Sequence, residues 1–213
     1  MSDRRPLAIV ILTWNALAYT KACVSALAEV TDHPAWRLII VDNGSTDGTV
    51  EYLKDLEGAT VILNATNQGY TRGCNAGLAA SRPEEDVVLM NNDIVVVERD
   101  WLTRLQDVAY AKPDTGVVGT RLVDATGRIN HLGSYMPPVS LYGQQLGGGQ
   151  RDINQRIDDI DIECVVFAQV YLRRNCIDRV GPLDEDLFAY FDDTDYCFRA
   201  QKAGFGVVYA GSV

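Results

Sequence analysis

The sequence predicts an α/β protein: a mainly parallel central sheet flanked by helices. Three observations carry this. Leu7 to Thr13 is a continuous apolar run rich in β-branched residues, the pattern of a strand covered on both faces. Leu38 to Val41, Thr60 to Leu63 and Asp86 to Met90 repeat the strand signal at intervals. Stretches with helical spacing of apolar residues lie between them. The resulting β-α-β-α-β-α-β order implies parallel strands joined by helical crossovers.

The elements follow in chain order. After the first strand, Asn15 is placed to cap a helix with the stripe Leu17, Val24, Leu27 and Ala28, and His33-Pro34 ends it. Leu38 to Val41 closes at Asp42. Asn43-Gly44-Ser45 is a turn. Ser45 or Thr46 is expected to cap a helix carrying Val50, Leu53 and Leu56, with Gly58 where a C-terminal glycine would sit. Tyr70 to Ser81 reads as a helix weakened by Gly73 and Gly77 and stopped by Arg82-Pro83. The strand Asp86 to Met90 ends in Asn91-Asn92-Asp93, and Ile94 to Val97 is expected to restart an extended run. Asp100 is expected to cap a helix with Trp101, Leu102, Leu105 and Val108 on one face.

The second half is less regular. Gly116 to Val123 and Ile162 to Leu172 read as strands, and residues 124 to 160 as a long loop around Gly147-Gly148-Gly149. Arg174 to Val180 is a short helix stopped by Gly181-Pro182. Asp193 to Ala203 is a further helix, closed by Gly204, and Gly206 to Ala210 is a last strand.

Composition narrows the function. The chain has 213 residues, enough for one large domain or two intimately packed halves, and a chain of this size hides about 70% of its unfolded surface. The formal net charge of −10 disfavours a nucleic-acid partner, which calls for a basic face. The five cysteines are odd in number and show no CxxC spacing, so reduced thiols and a cytoplasmic setting are expected. Met1 to Pro6 is polar and short, with no signal-peptide pattern, and no run of 18 apolar residues is present. Peripheral membrane contact stays open.

In open parallel sheets, ligands bind beyond the carboxyl ends of the strands. Here those ends carry Thr13 and Asn15, then Asp42, then Asn91 to Asp93. Each alone reads equally as turn chemistry. Together they aim hydrogen-bonding groups at one edge. A carboxylate at Asp93 could hold Mg²⁺ or Mn²⁺ against a diphosphate, since such ions use one or two carboxylates plus phosphate oxygens.

Five motifs in order, Ile11-Leu12-Thr13-Trp14-Asn15, Val41-Asp42-Asn43-Gly44-Ser45-Thr46-Asp47-Gly48-Thr49, Asn67-Gln68-Gly69, Gly73-Cys74-Asn75-Ala76-Gly77 and Leu89-Met90-Asn91-Asn92-Asp93, resemble the inverting glycosyltransferase family 2, in particular its rhamnosyltransferase-like members. The resemblance covers nearly the whole chain. It implies a GT-A fold across 1–213, with a nucleotide-sugar-binding half at 1–110 and an acceptor-binding half at 111–213. It implies that Thr13, Asn15 and Asp42 line the nucleoside pocket, with Asp42 accepting from the base N3–H, and that Asn92 is also nucleotide-binding. Arg72, Gly73 and Asn75 would lie along the nucleotide and its phosphates. Asp93 would be the metal ligand, for Mn²⁺ or Mg²⁺. The family motif carries Asp at the first position, where this chain has Asn91, so a single protein charge is expected at the metal. The donor would be a UDP- or dTDP-sugar and the acceptor a glycan or lipid-linked hydroxyl, in polysaccharide biosynthesis.

Transfer to a hydroxyl needs a proton acceptor. His33, beside Pro34, is expected at the surface. His131 in Ile129-Asn130-His131-Leu132-Gly133 reads either as a structural loop histidine or as a substrate contact. Asp192, Asp193 and Asp195 are set among aromatics at a helix start, where apolar neighbours and like charges both raise a carboxylate pKa. Acids there are also what a helix dipole favours, and Asp193 could simply cap. By the resemblance, Val180-Gly181-Pro182-Leu183-Asp184-Glu185 and the stretch after it form the acceptor segment. Asp193 is then the base, Asp192 its neighbour at the acceptor, and Asp195 a structural partner of Arg199.

Two rival readings stand beside this. A nucleotidyltransferase would want a Gly-rich loop after the first strand, where the chain has Thr13-Trp14-Asn15-Ala16-Leu17. A non-catalytic domain of the same fold is the other. The family places a metal-contacting histidine just after the strand that here ends at Ala210, and none precedes Val213. A C-terminally truncated domain with a weakly held metal is therefore an expectation of the resemblance.

Overall fold

The computed structural model describes residues 5–137, 143–155 and 157–213. Met1 to Arg4, part of the 124–160 loop and position 156 lie outside the described residues. The elements run β1 (Leu7–Thr13), α1 (Leu17–Val30), β2 (Trp36–Asp42), α2 (Thr49–Lys54), β3 (Ala59–Leu63), α3 (Tyr70–Ala80), β4 (Asp86–Asn91) and α4 (Trp101–Ala111). They continue β5 (Thr115–Thr120), β6 (Leu122–Val123), β7 (Ile129–His131), β8 (Ser134–Tyr135), β9 (Gln144–Gln145) and β10 (Ile160–Asp161). Last come β11 (Gln169–Leu172), α5 (Arg174–Val180), α6 (Asp192–Lys202) and β12 (Gly206–Ala210).

Among the described residues one sheet of eight strands has the order β10-β12-β5-β11-β4-β1-β2-β3. The pairs β4-β1, β1-β2, β2-β3 and β5-β12 are parallel. β11 runs antiparallel between β4 and β5, and β10 antiparallel at the edge. The mainly parallel α/β reading holds, with β11 bonded to β4 on one side and to β5 on the other.

The alternation of side chains across the sheet builds two cores. Leu7, Ile9 and Ile11 of β1 face α1, α2 and α4, meeting Leu27, Leu53, Leu102 and Leu105. Ala8 and Val10 face α3, α5 and α6, meeting Leu78, Ile177 and Tyr196. The glycines of α3 permit this approach. A Cβ at Gly77 would strike the Val10 side chain, and one at Gly73 the Leu12 side chain. The two residues that weaken α3 as an isolated helix thus seat it on β1. Gly77→Ala is expected to lower stability by about 1 kcal/mol, a mid-range overpacking cost less the helix-propensity gain. The overpacking cost of about 1–3 kcal/mol exceeds the helix-propensity gain of about 1 kcal/mol. A denaturant melt checks it; a melt unchanged or improved would mean that α3 stands further off.

Several local expectations are corrected. Asn15 does not cap α1: Asn15 and Ala16 both have positive φ, 57° and 59°, and Asp47 Oδ2 accepts from Leu17 N–H at 2.9 Å instead. Neither Ser45 nor Thr46 caps α2. Gly48 occupies that position, and Asp47 Oδ1 accepts from Thr49 N–H at 3.2 Å. Asp100 stands at the N-cap of α4 without a side-chain cap bond; its carboxylate pairs with Arg104 at 3.1 Å. Ile94 to Val97 is no strand, because β4 has already passed the sheet edge, and Val95 and Val97 are exposed. Gly116 to Val123 breaks into β5 and β6. Ile162 to Leu172 contributes only β11, its first part leaving the ladder to bond Ser134 and His131. The described part of the 124–160 stretch is not structureless: it holds β7, paired with β6, β8, paired with β9, and the start of β10, paired with β12. His33 is buried, not at the surface. Its Nδ1 accepts from Ala35 N–H at 3.2 Å, and its Nε2 meets Gln106 of α4 at 3.3 Å.

Candidate active site

The polar ends of β1, β2 and β4 do meet. Register pairs Thr13 with Asp42 and Leu12 with Asn91. Asp42 is fully buried. Its Oδ2 accepts from Gly44 N–H at 3.0 Å and Ser45 N–H at 2.9 Å, which folds the turn back on the carboxylate. Its Oδ1 is also buried but has no hydrogen-bond partner among the described residues. Buried carboxylate oxygens are seldom left so.

The loop between β1 and α1 is tied to the same turn. Asn15 Oδ1 accepts from Thr46 N–H at 2.8 Å, and Asn15 N–H donates to Ser45 Oγ at 2.6 Å. Thr13 and Asn92 close an internal network. Asn92 Nδ2 donates to Thr13 Oγ1 at 3.1 Å and Thr20 Oγ1 at 3.0 Å, while the two hydroxyls meet at 2.8 Å. These side chains fix the Asn91-Asn92-Asp93 turn against β1 and α1. Thr20, Asp47 and Asn43 were not singled out by sequence reasoning, though each organises this edge. Asn43, next to Asp42, donates to Gly69 O at 2.9 Å at the start of α3. Its position inside a turn motif was the only signal.

Of the α3 residues expected along the nucleotide, Gly73 packs against Leu12 and Asn43. Arg72 is half-exposed, and its Nε lies 3.4 Å from Glu185 Oε2. Asn75 is buried and points to Leu183 and Glu185.

Asp93 is exposed and takes no hydrogen bond or ion pair among the described residues. No group of three His, Cys, Asp or Glu side chains among the described residues could hold a metal unaided. A free, hard oxygen donor at the sheet edge fits a Mn²⁺ or Mg²⁺ ion that completes its shell with diphosphate oxygens and water.

The second cluster lies at the start of α6. Tyr190 and Phe191 precede it with φ of 70° and 61°, a left-handed pair that non-glycine residues adopt only under surrounding constraint. This bend buries Asp192 and sets Asp193 beside a cavity of about 340 Å³. Tyr190, Phe191, Cys164, Val166, Ser134 and Gln145 also line it. Asp193 Oδ1 accepts from Thr194 N–H at 2.6 Å and Thr194 Oγ1 at 3.2 Å. Burial raises the Asp193 pKa, and those bonds oppose the rise. Asp192 is pushed up to about 6, first by burial and then by the Asp193 charge. Asp195 takes the structural role expected, with Arg199 Nε at 2.7 Å. His131 is a buried β7 residue. Its Nε2 accepts from Val166 N–H at 3.1 Å, and burial lowers its pKa to about 4, so the neutral ring braces one wall of the cavity.

The Asp192 shift makes a stability prediction. Its folded pKa, about 6, exceeds the unfolded value of about 3.9. The native state therefore gains from protonation; that gain is full below pH 4 and lost as pH rises through 6. Asp192→Asn is expected to stabilise the protein by about 1–3 kcal/mol at pH 8 and to leave it unchanged at pH 3.5. Melting curves of the two proteins at both pH values test this. An equal difference at both would mean that charge burial is not the cause.

A mainly parallel eight-stranded sheet with a buried carboxylate at the end of β2, a free acid after β4 and a carboxylate pair at the start of α6, one of them lining a cavity, is the arrangement of a GT-A fold. Solved structures agree on the fold. GalNAc-T7, determined with UDP, GalNAc and Mn²⁺, superposes with a TM-score of 0.80 at 12% identity, over 100% of this chain and 43% of that one. The Pyrobaculum calidifontis mannosyltransferase PcManGT, in complex with GDP-Man and Mn²⁺, gives 0.68 at 17% identity, over 97% and 55%. Residues 8–180 match the model of glycosyl transferase family 2, and the chain belongs to that family. It is 31% identical to protein y4gI of Sinorhizobium fredii over 94% of its length, though it spans only 23% of that protein. It is 24% identical to the N-acetylglucosaminyl-diphospho-decaprenol L-rhamnosyltransferase of Mycobacterium tuberculosis, over 100% of this chain and 75% of the relative.

Proposed function

We propose that the chain moves a sugar from a UDP- or dTDP-linked donor to a hydroxyl of a glycan or lipid-linked acceptor, with inversion, in the building of a polysaccharide. The carrying observation is Asp42: a fully buried carboxylate with one oxygen unpartnered at the sheet edge. An imide N–H, as in uracil or thymine, supplies the missing donor. Asn15 and the turn it holds shape the nucleoside side, and Thr13 and Asn92 fix the acid-bearing turn. Arg72 lies in the first turn of α3, its side chain half-exposed, and takes the phosphate role in this reading. Asp93 would hold Mn²⁺ or Mg²⁺, which supplies electrostatic stabilisation of the departing diphosphate when bound.

Asp193 accepts the proton of the acceptor hydroxyl as its oxygen bonds the anomeric carbon and the carbon–oxygen bond to the diphosphate breaks. Its raised pKa suits a general base. Asp192 contacts the acceptor. The rhamnosyltransferase relative supports a lipid-linked acceptor as one candidate class. The five free cysteines support a reducing, cytoplasmic setting. No helix among the described residues is long and apolar enough to cross a membrane.

The test is a thermal-shift screen of nucleoside diphosphates with Mn²⁺, followed by nucleoside diphosphate release from matching nucleotide sugars. Pyrimidine-selective binding with release is expected. Binding without release would favour an inert domain of the same fold, and no binding would sink the donor assignment.

A further inference from the structure

We propose that Asn75 is a positioning residue: it holds the segment carrying Asp192 and Asp193 onto α3 and acts on transfer through that segment, not on the nucleotide. This rests on the transfer reading above. Motif position alone assigns Asn75 to the donor. Its bonds lead elsewhere. Nδ2 donates to Leu183 O at 2.9 Å and to Glu185 Oε1 at 3.2 Å, while Oδ1 accepts from Leu183 N–H at 2.9 Å. Both amide hydrogens are thereby used, and the side chain is buried.

The reciprocal pair with Leu183 needs a group that donates and accepts at once. Asparagine provides this at a length that keeps α3 close. Two more bonds extend the seam along the first turn of α3. Tyr70 N–H donates to Phe188 O at 2.7 Å and Thr71 Oγ1 to Leu187 O at 2.5 Å. A Cβ at Gly69 would strike Phe188, so backbone and segment lie flush. Only Ala189, Tyr190 and Phe191 separate Phe188 from Asp192, and two of those three are in the constrained left-handed conformation. Little slack remains to absorb a shift of residues 183–188 before it reaches the carboxylates. A misplacement of about 1 Å at a reacting group can cost on the order of 10² in rate.

The experiment compares wild type, Asn75→Ala and Asp193→Asn by calorimetric titration of UDP and dTDP with Mn²⁺, and by nucleoside diphosphate release from UDP-GlcNAc and dTDP-rhamnose across pH. For Asn75→Ala, nucleotide affinity within about twofold of wild type and release lowered on the order of 10²-fold are expected. The acid limb of its rate profile should also move to lower pH as Asp193 loses burial. Affinity lost in step with release would make Asn75 a nucleotide contact and overturn the proposal. Unchanged release would overturn it too. Asp193→Asn reports on the underlying reading separately: if it releases like wild type, the base assignment fails whatever Asn75 does. Should Asn75→Ala not fold, Asn75→Asp takes its place under the same criteria. It keeps the acceptor for Leu183 N–H but loses both donors.

Discussion

Asp193→Asn is expected to bind nucleotide as the wild type does and to transfer sugar about 10²–10⁴ times more slowly, the usual range for loss of a general base. The substitution is nearly isosteric. Asparagine at 193 can still accept from Thr194 N–H, which anchors Oδ1 at 2.6 Å, so the start of α6 should stay in place. What disappears is the charge able to take a proton beside the cavity. The pH dependence adds a second reading. Burial raises the Asp193 pKa, so the wild-type rate should fall on acidification at a pH above that of an ordinary carboxylate. Its active form is the anion, and protonation removes it. Steady-state release of nucleoside diphosphate in the presence of an acceptor, from pH 4 to 9, measures both. Wild-type turnover by the variant would end the assignment.

The second large effect is expected at Asp42. Asp42→Ala should weaken pyrimidine nucleotide binding by about 1.5–3 kcal/mol, the range for a hydrogen bond to a charged group. Alanine also strips the turn of the acceptor for Gly44 and Ser45 N–H, so it confounds recognition with folding. Asp42→Asn separates them. Its oxygen can keep the turn, and its amide then presents N–H to a base N3–H, donor against donor. Nucleotide affinity should fall with the nucleotide-free melting temperature nearly kept. Calorimetric titration of UDP with Mn²⁺ decides it; affinity equal to wild type in the asparagine variant would remove Asp42 from base recognition.

The core strands were legible because their signal is local. β1 is seven residues of apolar, mostly β-branched chain, and both faces need cover. The carboxyl-end residues followed from topology. What escaped depends on partners far along the chain. Asp47 caps α1 from 30 residues away, and no local pattern around Asn15 announces it. His33 beside Pro34 looks like a surface turn, yet α4 covers it 73 residues later. The apolar run from Ile162 splits because Cys164 to Val166 pack over a cavity instead of entering the ladder. Apolarity reports burial there, not pairing. Asn75 is the sharpest case at the site. Its motif points to the nucleotide, while its hydrogen bonds lie 108 and 110 residues on.

β11 has a consequence for dividing this chain. It lies antiparallel between β4 and β5, bonded to both. A piece ending near residue 110 would therefore leave β4 as a raw border, its Asp86–Asn91 backbone groups on that side unmatched and its flanking residues apolar. Such a piece would gather with copies of itself before it could be tested for nucleotide. A donor-only version of the protein would have to carry a surrogate for Gln169–Leu172, grafted after β4, to close the seam.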